Sequence, residues 1–349
     1  MGLLNLRFLK ALLFTSGTAC FGLISQAATL PTLTVYTYDS FAAPEGLGPA
    51  VIPAFEKKCG CRVKLLPAGD GGQVLNRVEL DAKRGKQIAD VMLGIDQYLW
   101  PRAREYSDTW GNWRPAGIEK LIASTVVESG FLPFDYGVLT MMGDFQELKK
   151  KKLEPPTSLY DLLKPEWRRN FLLEDPRTST PGLAFLVYTE QALPGQFSDF
   201  WRKLRGQWLT MPPGWDQAYG LFLKGEAPLV WSYSTSQAYH EEKKEQASRY
   251  RAIFFREGQP IQIEGAAIVK GLSDARRKIA REFLEFLLSL EVQNKIPTRN
   301  WMFPATKSAS LPASFKALKN PEKIYNHALP EAQLKATIAD WARNLGETP

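Results

Sequence analysis

TLTVYTYDSF (residues 32–41), GLGPAVIPAFEKK (46–58) and RVKLL (62–66) together decide the fold. The first stretch is rich in β-branched and aromatic residues, which suit a strand over 32–38. Residues 46–58 read as helix and 62–66 as a second strand. GQVLNRVELDAKR (72–84) sets Val74, Leu75, Val78 and Leu80 roughly on one side of another helix, and IADVMLG (88–94) reads as a third strand. Strand, helix, strand, helix, strand in that order implies a parallel sheet with right-handed crossovers. In the opening strand Tyr36 and Tyr38 share one side, while Val35, Thr37 and Asp39 share the other.

A second series follows residue 133. Helices are expected over 157–164, 181–192, 215–224 and 273–290, with strand-like runs at 170–173, 228–233 and 261–271. FLPFDYGVL (131–139) and QIEGAAIV (262–269) are the extended, apolar segments where the chain would pass between two α/β lobes. Residues 29–132 with 265–349 are expected to make one lobe and 133–264 the other. Ordinary core strands would show the same pattern.

At 349 residues, 44% apolar and 23% charged, the chain is long enough for a substantial core. Residues 1–28 stand apart. They hold Arg7 and Lys10 but no acid, then an apolar stretch from Ala11 to Ile24, then Ser25-Gln26-Ala27-Ala28. Base, apolar run and small residues in that order describe a secretory signal peptide cleaved near Ala27-Ala28. Loss of this segment lowers the formal net charge from +7 to +5. The remaining bases are mixed with acids, so nucleic-acid binding is not expected. The densest basic run, Lys149 to Lys152, reads as a solvated face or turn. Cys59 and Cys61 remain after cleavage, and an even count in an oxidising compartment favours a disulfide over free thiols. A metal site is disfavoured, because the chain has only His240 and His327 to add.

Open α/β sheets present ligands at the carboxyl ends of their strands. Here those ends carry Tyr38-Asp39, Asp70-Gly71-Gly72, Asp96 and Tyr233-Ser234-Thr235. An aspartate at a helix start can be a simple N-cap, but three acids and two tyrosines at equivalent edges exceed what turns require. EDPRTSTPGLAF (174–185) places Ser179 or Thr180 as a cap ahead of Pro181, so a helix N-terminus would open there as an anion site. SYSTSQAYH (232–240) repeats the arrangement of hydroxyls at a strand-to-helix junction. Trp215 and Trp301 follow turn residues, and with Tyr38, Tyr233 and Tyr239 they offer aromatic faces for a flat cation.

LTVYTYDSFAA, FEKKCGC, PFDYG, DPRTSTPGL, AYGLFLKGE, SYSTSQAYH and IPTRNWMFP, in that order, resemble the periplasmic thiamine-binding proteins of bacterial ABC importers. The resemblance covers essentially the whole chain after residue 28. It implies the two-lobed type II periplasmic binding fold, α/β in class, with a ligand cleft between lobes. It also implies a monomer that needs no cofactor, captures thiamine, thiamine monophosphate or thiamine diphosphate, and delivers it to a membrane permease. Carried over motif by motif, Asp70 and Gly71 face the ligand, and Ser179 and Thr180 meet its phosphate end. Trp215 belongs to the pocket, and Tyr233, Ser234, Thr235 and Ser236 form a contiguous binding segment. Tyr38, Tyr239 and Trp301 surround the rings.

Two other readings stay in view. A thiaminase-like enzyme on the same scaffold would need a nucleophile in the cleft, typically a thiolate, and the cysteines read as a disulfide near the end of the first helix. A ferric-ion or oxyanion carrier could use Tyr233, Tyr239 and His240, but would leave Trp215 and Trp301 without a task.

Overall fold

The computed structural model describes residues 30–125, 128–244 and 248–346. The expected signal peptide, residues 1–28, lies outside them. Among the described residues no helix is long and apolar enough to cross a membrane.

The opening stretch forms strand β1 (Thr32–Thr37), and RVKLLP forms β2 (Arg62–Pro67) parallel to it. Between them runs helix α1 (Leu47–Cys59). It buries Leu47, Val51, Ile52 and Phe55 and ends at Gly60, whose φ of 61° suits a helix stop. Helix α2 (Gly71–Lys83) returns the chain to β3 (Val91–Asp96), which pairs with β1, again in parallel. The third strand thus starts three residues later than its sequence pattern predicts and continues past Gly94, where its pairing is irregular.

Strand β4 (Leu132–Asp144) is thirteen residues long and nearly all buried. Its first half pairs antiparallel with β8 (Gln259–Ile268), and its second half with β6 (Leu229–Tyr233) and β7 (Tyr250–Ile253). β5 (Phe171–Leu172) lies parallel to β6 beyond it. The spatial order is β2-β1-β3-β8-β4-β6-β5, with β9 (Phe303–Pro304) also on β4 and β10 (Ile324–Tyr325) on β8. The two apolar segments singled out in the sequence are therefore the central strands that join the two parallel sets.

Among the described residues the other helices of eight residues or more are α3 (Thr180–Ala192), α4 (Phe197–Leu204), α5 (Trp215–Leu223), α6 (Thr235–Glu242), α7 (Asp274–Leu287) and α8 (Glu331–Leu345). α3 is buried over most of its length because α8 as well as the sheet packs on it. Its Phe185 meets Trp201 of α4 and Trp231 of β6 edge to face. The helix expected over 157–164 is instead a 3₁₀ turn, Leu159–Leu163, capped by Ser158 and closed before Pro165. The expected helix over 273–290 stops at Leu287 and restarts after Ser289 as a single turn, Leu290–Gln293.

Gly94 makes room for the site. Its φ is +91°, and a Cβ there would sit 2.0 Å from the Tyr38 ring. Gly94→Ala should therefore cost about 2–3 kcal/mol from overpacking and left-handed strain together. Urea denaturation measures this, and an unchanged midpoint would show that the ring can move aside.

Candidate functional site

Asp70 is the N-cap of α2 and takes part in a full capping box. Its carboxylate accepts from the Gly71 N–H at 2.7 Å, while its own N–H donates to Gln73 Oε1 at 3.0 Å. Two further donors reach the same carboxylate. Thr180, the first residue of α3, donates its hydroxyl to Oδ1 at 2.9 Å, and the Trp215 N–H at the start of α5 approaches Oδ2 at 3.3 Å. Three helix N-termini thus converge on one carboxylate, where their dipoles favour negative charge. Burial raises the Asp70 pKa, and these donors pull it back. Gly71 permits the close approach, since a Cβ there would meet the Gly94 carbonyl and the Thr180 methyl.

Beside Asp70 lies a cavity of about 350 Å³, at the small end of the usual range for ligand sites of roughly 300–1,000 Å³. Tyr38, Trp215, Tyr219, Tyr233, Tyr239 and Trp301 line it. Trp215 stacks on Tyr219 at 4.9 Å, and Tyr239 meets Trp301 edge to face at 4.9 Å. Trp215, Tyr233 and Tyr38 are held by polar contacts. Trp215 Nε1 donates to Ser232 at 2.8 Å, and Ser232 shares a hydrogen bond with Ser236. Tyr233 donates to Gln262 Oε1, Gln262 Nε2 donates to Thr180 Oγ1, and Thr180 donates to Asp70. Tyr38 O–H donates to Asn300 Oδ1, and Asn300 Nδ2 donates to Asp135 at 2.7 Å.

Trp301 adopts φ +56°, a conformation costly for a bulky side chain. It occupies the position after a helical turn, Ile296–Arg299, where glycine is usual, and its N–H closes onto the Ile296 carbonyl at 3.0 Å. The chain keeps an indole there at the expense of local strain.

The wall is anionic. Asp39, Glu45, Asp70, Asp216 and Glu264 line the cavity, while Arg299 is the one cationic lining residue among the described residues and pairs with Glu45 at 3.2 Å. Glu264 is buried and its pKa is pushed up to about 8, first by burial and then by repulsion from Asp70. Burial also raises Asp135 and Asp96 well above the carboxylate range, with Glu264 repelling both, and raises Glu174, which Asp70 repels. Among the described residues no group of three or more His, Cys, Asp or Glu side chains is placed to hold a metal ion.

Of the residues singled out in the sequence, Tyr38, Asp70, Trp215, Tyr233, Ser236, Tyr239 and Trp301 line the cavity. Gly71, Ser179, Thr180, Ser234 and Thr235 are buried behind it. Ser179 is the N-cap of α3, accepting from the Gly182 N–H, and Ser234 precedes α6 without a side-chain cap. Asp96 caps the next turn through the Leu99 N–H instead of facing the cavity. Cys59 and Cys61 are disulfide-bonded at the end of α1, and neither lines the cavity. The sequence reading missed Asn300, Gln262 and Glu264. A signal for the last two was present: polar residues at alternate positions of an otherwise apolar strand share one face.

The sequence matches the bacterial extracellular solute-binding protein family over residues 119–326, more than half of the chain. The chain belongs to that family. Over nearly their full length it is similar to the thiamine-binding periplasmic proteins of Escherichia coli K12 and Brucella suis biovar 1. Identity to the first is 41%, covering 90% of this chain and 93% of the relative. Identity to the second is 40%, covering 90% and 92%. A solved periplasmic thiamin-binding protein superposes with a TM-score of 0.82 at 38% identity, covering 90% of this chain and 96% of that one. The fold is the two-lobed α/β fold of periplasmic binding proteins.

The buried acids make stability depend on pH. A carboxyl whose pKa rises on folding adds stability that is fully present below its unfolded value and lost as pH climbs through the folded one. For Glu264 the window runs from about 4.5 to about 8, and Asp135, Asp96 and Glu174 act in the same direction. The surface acids with lowered pKa, Asp161, Asp199 and Glu331, contribute fully above the lower edge of that window. The ligand-free protein should therefore melt at a lower temperature near pH 8 than near pH 5.5. A higher melting temperature near pH 8 would contradict this account of the site.

Proposed function

We propose that the protein is a periplasmic solute-binding protein that captures thiamine and delivers it to an ABC permease. The observation that carries this reading is the aromatic enclosure closed on one side by Asp70. Thiamine bears a fixed positive thiazolium that no proton loss can neutralise, so a site for it needs π faces and a permanent anion. Each good cation–π contact contributes about 0.5–2 kcal/mol, and a carboxylate in a partly dry cleft adds Coulomb attraction. The names of the full-length relatives point to the same vitamin.

Thiamine monophosphate and diphosphate belong to the proposed ligand set. The resemblance puts their phosphates at Ser179 and Thr180; because both are buried and Thr180 donates to Asp70, we place the phosphates instead toward Arg299, which is exposed beside Glu45. The protein is proposed to work as an exported monomer, freed of its leader near Ala27-Ala28. Residues 29–132 with 265–349 and residues 133–264 would be the two lobes that close on the ligand through its differential affinity for the closed state. Binding without turnover is the reading favoured by the disulfide, which leaves no thiolate at the cavity wall.

Titration with thiamine, followed by tryptophan fluorescence and thermal melting, tests the function, because a ligand that binds only the native state must stabilise it. Asp70→Asn should bind thiamine roughly 10- to 100-fold more weakly while melting within a few degrees of wild type, since asparagine still caps α2. Equal affinity would reduce Asp70 to a helix cap. Trp301→Gly should leave unfolding free energy within about 1 kcal/mol of wild type, because glycine relieves the left-handed strain, yet weaken thiamine binding at least about tenfold. Retained affinity in that variant would remove Trp301 from the site.

A further inference from the structure

Glu264 is unlike the other acids of the cavity. It comes from the central strand β8, is 6% exposed, and lines the cavity floor. Its Oε1 receives a long contact from Gln262 Nε2 at 3.4 Å, and its buried Oε2 has no partner at full hydrogen-bond geometry, although Tyr38, Asp135 and Asn300 lie close enough to act on the carboxyl. Polar atoms are rarely buried without a partner unless they wait for one.

Among the described residues its surroundings supply no cation. Asp96 is its register partner on β3, and Asp135 is its register partner on β4. Tyr38 at the end of β1, Tyr233 of β6 and Asp70 at the start of α2 are the other titratable groups that act on it, and Asn300 is the neutral neighbour. Asp70 has close donors from three helix starts fixed on it, whereas Glu264 faces Asp96 and Asp135 with Tyr38 and Asn300 as donors at looser geometry. Two carboxyls in environments this different take different protonation states and hence different roles.

We propose that Glu264 is a specificity-determining residue that reads the hydrogen-bonding edge of the ligand's aminopyrimidine through a two-point contact. Its O–H would donate to a ring nitrogen, and its carbonyl oxygen would accept from the adjacent amino group. This rests on the thiamine reading and deepens it: Asp70 answers the fixed charge of the thiazolium, and Glu264 answers the hydrogen-bonding edge of the other ring. A two-point contact of this kind discriminates strongly, because a ligand without that edge leaves the buried carboxyl unpaired.

The test measures dissociation constants by calorimetry for wild type, Glu264→Gln and Glu264→Ala. The ligands are thiamine and an N-methylthiazolium fragment that lacks the pyrimidine. A glutamine side chain offers the same donor and acceptor pair without an ionisable proton. Glu264→Ala should lose roughly 10- to 100-fold in thiamine affinity and less than about threefold for the fragment, while Glu264→Gln stays within about threefold for both. Across about pH 6 to 9, wild-type affinity for thiamine should fall as Glu264 ionises near about 8, and that of Glu264→Gln should stay flat. If Glu264→Ala does not fold by thermal melting, the contrasting pH profiles of wild type and Glu264→Gln carry the test. Equal thiamine binding by wild type and Glu264→Ala overturns the inference. So does a Glu264→Gln variant as weak as Glu264→Ala, or a wild-type affinity that rises with pH; either would make Glu264 a counter-ion. No binding of thiamine to wild type would overturn the function itself, and this inference with it.

Discussion

The structure around the cavity depends on one carboxylate. Asp70 receives the Gly71 N–H of α2, the Thr180 hydroxyl at the start of α3 and the Trp215 N–H at the start of α5. Each helix alone would need a cap for its orphan donors. Sharing one acid fixes the three helix starts relative to one another and holds a negative charge at the cavity edge. The anion site that helix N-termini create is here occupied by the protein's own side chain. What remains for a ligand at that point is the outward field of a pinned carboxylate.

The aromatic enclosure follows from that pin. Trp215 begins the helix that Asp70 holds, and its indole N–H is tied to Ser232 on β6. Tyr233, the next residue on the same strand, reaches Asp70 through Gln262 and Thr180. The charge and the rings are therefore one network, and moving one member shifts the others. Tyr38 is held separately, by Asn300 and by the space above Gly94. Trp301 is placed by a strained backbone turn. Polar contacts thus set some of the rings and backbone geometry sets another, all around a single cavity.

Glu264 and Asp135 show the opposite use of acids. They lie on the two central strands with no cation beside them among the described residues, and burial raises the pKa of both. Such a pair costs stability at neutral pH and above. Its position on the strands that join the two parallel sets puts an adaptable hydrogen-bonding group at the floor of the cavity.

Much of the architecture was legible because it is written in local patterns. The βαβαβ order, the capping aspartate before α2, the Ser-Thr-Pro start of α3 and the two apolar crossing segments all rest on residues within a few positions of one another. The identities of the aromatic residues could be read in the same way. Tyr36, on the same side of β1 as Tyr38, is buried with its hydroxyl on Asp81. Less legible was which polar residues would meet. Thr180 and Asp70 are 110 positions apart, Trp215 and Asp70 are 145, and Tyr38 and Asn300 are 262. No periodicity spans such separations. The sequence by itself determined the elements, their caps and the presence of a π-rich, acid-bearing set of strand ends. Only the tertiary structure decided that Ser179 and Thr180 stand behind Asp70, that Asn300 fixes Tyr38, and that Glu264 lines the floor of the cavity. The reason is physical: helix and strand are local, short-range outcomes of backbone geometry, whereas a site is made by side chains that only chain folding brings within hydrogen-bonding distance.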